Sequence, residues 1–218
     1  MTYGQPIRIL HTLLALCVLT QIAVGELMDV PEVENVPAQT QSMLSIPLAF
    51  AHESHAAAGG VVEETLGFEV HEYLGLTIAA LILIRLILAF TSVPGAGWCG
   101  LFPYLCAGGR KTLIEESKAQ LAGWKQGKLA PPEEGETLAR SVHGLIILAV
   151  SCMAITGVTL YFGWSTTAPQ TELIELVAET HELIVGGLEA LLLAHILAVF
   201  LHQRQGHNII ARIKPGPQ

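Results

Sequence analysis

The chain has 218 residues, 51% hydrophobic and 14% charged, with a mean hydropathy of +0.52 and a formal net charge of -8. Ordinary soluble domains carry roughly 25% charged residues, so this composition excludes a soluble enzyme, and the acidic excess excludes a nucleic-acid partner. About 20 apolar residues suffice to cross a bilayer, and four runs reach that length: about 7–28, 71–91, 142–164 and 180–201. They predict one all-α domain over residues 1–218, an integral membrane four-helix bundle.

The first run carries His11 near its start, with Arg8 just ahead. Its Ala23-Val24-Gly25 before Glu26 imitates a cleavage site, so a removable signal peptide is the competing reading of this span. The connection that follows, 29–70, holds Asp29, Glu32, Glu34, Glu53, Glu63, Glu64 and Glu69 and no Lys or Arg. It is long beside the 2 to 8 residues or so usual between bundled helices. A short interfacial helix is expected at Ser45 to Ala57, carrying His52 and His55 one turn apart. Without further ligands at a recognisable spacing, these two read as solvated loop histidines, not a metal site.

The second run opens at His71 and reaches Arg85 fourteen residues later, with Gly75 one turn after the histidine. The next connection, 92–139, begins with Val-Pro-Gly-Ala-Gly and ends with Ala-Pro-Pro-Glu-Glu-Gly-Glu, turn-rich segments that bracket a polar helix near Thr112 to Gly127. It is too small for a catalytic domain. Trp98, Leu101, Phe102, Tyr104 and Leu105 suit the headgroup level, where aromatic residues collect. Cys99 and Cys106 lie here, and Cys17 and Cys152 lie in spans; all four are expected to be fold-filling thiols without a disulfide. No Cys-x-x-Cys-His occurs, which excludes covalently attached c-type haem.

The third run starts beside His143, preceded by Arg140 and Ser141, a group suited to a quinone carbonyl. The fourth contains His181 and His195, again fourteen residues apart, with Gly186, Gly187 and Glu189 between them and His202 two turns beyond. Fourteen helical residues rise about 21 Å and return to one face. Every Lys and Arg except Arg85 lies at the very start of span one, between spans two and three, or after span four. The positive-inside rule therefore predicts both termini and the 92–139 loop in the cytoplasm. The opposite face is acidic, with Glu172, Glu175 and Glu179 joining the first outer loop.

With that topology, His71 and His181 fall near the outer surface, and His11 and His195 near the inner one. Ionisable side chains in hydrocarbon are costly and usually face a functional interior. Two imidazoles at one level, from different helices, fill both axial positions of a haem iron, a closed coordination suited to electron transfer. Arg85 lies at the inner level, where a guanidinium pairs with propionates. Gly75, Gly186 and Gly187 suit either close approach of a macrocycle or helix packing. Glu189 is expected to be protonated and hydrogen-bonded in the bundle.

These residues resemble the bacterial cytochrome b561 superfamily, which includes the di-haem b subunits of nickel-iron hydrogenases and respiratory formate dehydrogenases. The resemblance rests on Ile-Leu-His11, on His71-Glu-Tyr-Leu-Gly75 running to Ile-Arg85-Leu, on Ile-Thr-Gly157, and on His181-Glu-Leu with Ala-His195-Ile-Leu-Ala-Val-Phe-Leu-His202. It implies two haem b groups, one on His11 and His195, the other on His71 and His181, with Arg85 on a propionate. It further implies transmembrane electron transfer between a quinone or quinol pool and a periplasmic redox partner such as a c-type cytochrome, in the bacterial inner membrane. A respiratory electron-transfer subunit is thus expected more than a self-sufficient oxidoreductase. The longer loops and Glu189 depart from the usual pattern.

Two other functions compete. A stand-alone oxidoreductase passing electrons from superoxide to quinone would need a cationic outer funnel, which the acidic loops do not provide. A bundle translocating protons or metal through Glu189 would not require histidines matched by depth.

Overall fold

The computed structural model describes residues 3–28, 66–127, 136–164 and 170–216. The expected Ser45 to Ala57 helix, with His52 and His55, lies outside them. Among the described residues the structure is helical, without strands: α1 spans Gln5–Leu27, α2 Leu66–Leu88, α3 Trp98–Leu101, α4 Ala107–Trp124, α5 Glu136–Gly163, α6 Glu172–Arg204 and α7 Ile209–Ile213, and Pro103–Leu105 forms a 3-10 turn. Helices α1, α2, α5 and α6 are long and apolar enough to cross a membrane.

The last three of these begin five to eight residues before the apolar runs, and local polar contacts extend α5 and α6 beyond the hydrocarbon-length stretch. Glu136 and Arg140 form a 2.7 Å ion pair one turn apart at the start of α5. Thr171 caps α6 by accepting from the Ile174 amide, and Glu172 and Glu175 complement the dipole there. Helix α2 instead stops short of the expected Thr91: Ala89, Phe90 and Thr91 close with three-residue turns ahead of Pro94.

Helix α1 packs on α2, α2 on α5 and α5 on α6, while α6 makes no comparable contact with α1 or α2. The bundle is therefore open along one side of α6. An apolar layer of Leu10, Leu14, Val18, Ile78, Ile82, Val150 and Leu188 fills its middle. The outward faces stay apolar and uncovered, as at Phe162 (80% exposed) and Leu183 (73%), which suits contact with lipid tails.

The 92–127 segment builds a cap at one end of the bundle. The Gly4 amide donates to the Pro94 carbonyl, Gly95 adopts φ 78° against the Tyr3 ring, and Leu101 and Phe102 pack with Ala89. Any side chain at Gly144 of α5 would collide with the Leu101 carbonyl. Tyr104 sits in the same layer with its hydroxyl buried and unpartnered, and burial raises its pKa. Helix α4 starts five residues earlier than the sequence suggests, since Gly109 fits against Pro103 where a side chain would not.

The expectation of four free thiols is corrected here. Cys99 and Cys106 form a disulfide, whereas Cys17 and Cys152 are free. The α3 and 3-10 turns fold the seven-residue interval back on itself and bring the two Cα atoms to 5.9 Å, well inside disulfide reach. Compartment alone does not decide the pairing, because the local turn brings the two thiols together.

Candidate functional site

Histidines gather at two levels of the bundle, on either side of the apolar layer. At one level, His71 of α2 faces His181 of α6, with ring centroids 6.5 Å apart and ring planes at 70°. Two metal–imidazole bonds of about 2 Å each, with the ring radii added, place the centroids of an axial pair roughly 6 Å apart. The observed spacing fits a metal held between the rings.

The His181 ring is fixed from behind. Thr156 Oγ1 lies 2.7 Å from His181 Nδ1 and within reach of the Cys152 and Met153 carbonyls at 2.9 and 3.1 Å; with its hydrogen on either carbonyl, it accepts from the imidazole. In that arrangement the proton sits on Nδ1 and the Nε2 lone pair is left for a metal, as is usual behind a metal-binding histidine. His71 Nδ1 is buried without a partner. Both rings lie on glycine: a Cβ at Gly25 would stand 3.2 Å from His71 Cε1, and one at Gly157 would stand 3.3 Å from His181 Cε1. Gln21 closes this level by donating to the His71 carbonyl at 2.9 Å.

At the other level, His11 of α1, His143 of α5 and His195 of α6 place one ring nitrogen each within 4.8 Å of the others. The centroids of His11 and His143 are 6.1 Å apart, and those of His143 and His195 are 4.7 Å apart. His143 Nδ1 donates to the Ala139 carbonyl at 2.9 Å, which leaves its Nε2 as an acceptor. These rings line a cavity of about 320 Å³, within the usual range of ligand pockets. Three guanidiniums, Arg8, Arg85 and Arg140, also line it, and among the described residues no carboxylate does. Arg85 is buried and donates to the Ala96 carbonyl of the cap at 3.3 Å.

The structure thus brings together His71 with His181, and His11 with His195, and adds His143 as a third inner imidazole. It sets Gly75 against Gln21 and leaves Gly186 and Gly187 facing open space, so the glycines that meet imidazoles are Gly25 and Gly157 instead. His202 stands apart at the end of α6, its Nδ1 3.0 Å from that of His207. Thr156, Gly25 and the burial of Arg8 were missed in the sequence. One signal was available: Gly25 follows His11, and Gly157 follows His143, at the same fourteen-residue interval that joins His181 to His195.

A flat, anionic, metal-centred group fits this arrangement. It matches the gap beside α6, the orphaned His71 nitrogen, the spare Nε2 lone pairs and the cationic inner cavity. Fold and site together define a membrane-embedded helical bundle with imidazoles gathered at two depths. The family model for prokaryotic cytochrome b561 matches residues 2–216, and the chain belongs to that family. No curated protein and no solved structure matches it significantly. Membership makes it a membrane protein of electron transport that works through b-type haem.

Proposed function

We propose that this chain conducts electrons across the bacterial inner membrane through two b-type haems, between a quinone or quinol pool and a periplasmic redox protein. His71 and His181 hold the outer group, His11 and His195 the inner one, and Arg85 binds an inner propionate. When bound, haem iron supplies one-electron chemistry by alternating between ferric and ferrous states. The observation that carries the reading is the facing pair His71 and His181, with the second ring oriented by Thr156.

The chain's own residues set the rest. A haem held by two imidazoles would have no vacant ligand position for oxygen, and the apolar layer of Leu14, Ile78, Ile82 and Leu188 keeps water from between the levels. Of the three inner imidazoles, His11 and His195 would hold the haem in this reading, and His143 would serve a second ligand. Its Nε2 is an acceptor, which suits a quinol hydroxyl better than the quinone carbonyl expected from sequence and favours quinol oxidation beside the cap.

Both termini and the 92–139 loop are assigned to the cytoplasm from the cations. The Cys99–Cys106 bond pulls the other way, because cytosolic thiols are kept reduced. Ten cations on that side outweigh one short-range bond. Glu69, Glu172, Glu175 and Glu179 are exposed at the His71 and His181 end. They form an acidic rim that steers a cationic partner, such as a c-type cytochrome, toward the outer haem. An electron-transfer subunit fits these features better than a self-sufficient enzyme.

Redox spectra of two variants test the assignment. His181→Ala should lose the outer haem and keep most of the inner one, and His195→Ala should do the reverse. Equal losses at both centres in both variants would overturn the pairing.

A further inference from the structure

Arg8 was read from sequence only as a marker of topology, yet the structure buries it. It lies three residues before His11 on α1, is 6% exposed, lines the inner cavity, and has a buried Nε without any hydrogen-bond partner. The other two guanidiniums there have acceptors: Arg140 has the Glu136 carboxylate at 2.7 Å and Arg85 has the Ala96 carbonyl. Arg8 makes no side-chain hydrogen bond or ion pair among the described residues, and the cavity offers it no Asp or Glu.

A guanidinium held out of water without a counter-charge is strongly unfavourable, because desolvation is not offset by any attraction. Its planar donors match a carboxylate or phosphate in a two-pronged fit. We propose that Arg8 is an anion-binding residue of the inner cavity, where it holds the second carboxylate of the haem while Arg85 holds the first. This rests on the haem reading of the cavity. A b-type haem brings two propionates, and the cavity offers two buried arginines without an acidic partner. The phosphate of a lipid headgroup presents the same oxygen chemistry and is the competing source of the anion.

The test uses the full haem-loaded chain with Arg8→Gln and Arg8→Lys. A cation beside the inner haem favours its reduced form, so Arg8→Gln should lower the inner midpoint potential and leave the outer one in place. Arg8→Lys should stay near wild type. Should Arg8→Gln fail to accumulate, Arg8→Lys still serves: in haem labelled with 13C at the propionates, redox difference infrared spectra should show its carboxylate bands displaced from their wild-type positions. Unchanged bands in Arg8→Lys would overturn the proposal. So would an Arg8→Gln protein with full haem and an unaltered inner potential. A wild type whose inner potential rises on delipidation while its propionate bands stay in place would assign the anion to a headgroup and also overturn it. Failure of the underlying haem reading is distinct, because the wild type would then carry no inner haem to titrate.

Discussion

The hydroxyl of Thr156 is the most exposing point of attack on the outer level, since it touches only the imidazole and its own helix. In Thr156→Val the ring of His181 keeps its packing on Gly157 but loses the acceptor 2.7 Å from Nδ1. The buried N–H is then left without a partner, at a cost of about 1–3 kcal/mol. Loss of the group behind a metal-bound histidine typically weakens metal binding by about 10–100-fold, or roughly 1.4–2.7 kcal/mol, so the two routes agree. The assay is haem titration of apoprotein in detergent, with the two centres separated by their redox-resolved absorption bands. Outer-site affinity should fall within that range, Thr156→Ser should restore it, and the inner site should not change. A Thr156→Val protein that binds haem at the outer level as tightly as wild type would refute the claim that this hydroxyl orients a ligand.

Two further perturbations probe packing around the sites. Gly157→Val places methyl groups against the His181 ring, where even a Cβ would stand at 3.3 Å; it should cost more outer haem than Thr156→Val, and normal haem content on pyridine spectra would contradict it. Cys106→Ser opens a small loop whose closure is worth about 2–3 kcal/mol by chain entropy. It should raise amide hydrogen exchange across the α3 and 3-10 turns while sparing α1, and two free thiols in a non-reducing peptide map of the wild type would contradict the bond itself.

The spans were legible because hydrocarbon thickness leaves its mark directly in composition, and the gathering of histidines at two levels followed from the fourteen-residue interval and alternating helix direction. Helix ends were less so: Glu136 with Arg140, and Thr171 with Glu172, extend α5 and α6 by local polar contacts that a hydropathy pattern passes over. The cap escaped because its order depends on contacts between distant segments, such as Gly4 with Pro94 and Gly144 with Leu101. Thr156 looked like any span threonine, since nothing in its local sequence says which helix faces it. Arg8 looked interfacial by position, and only the fold of the cap and of α7 around the inner cavity buries it. His143 was placed at the correct end but not in the cluster, because rotation of α5 about its axis is set by packing on α2 and α6.

The most direct measurement is the haem content of the purified chain, taken as pyridine haemochrome absorbance per mole of protein by amino-acid analysis and paired with low-temperature spectra. Two b-type groups per chain, both low-spin as two axial imidazoles require, is the expected result. One group, none, or a high-spin centre with an open axial position would contradict the account of imidazole pairs at two depths.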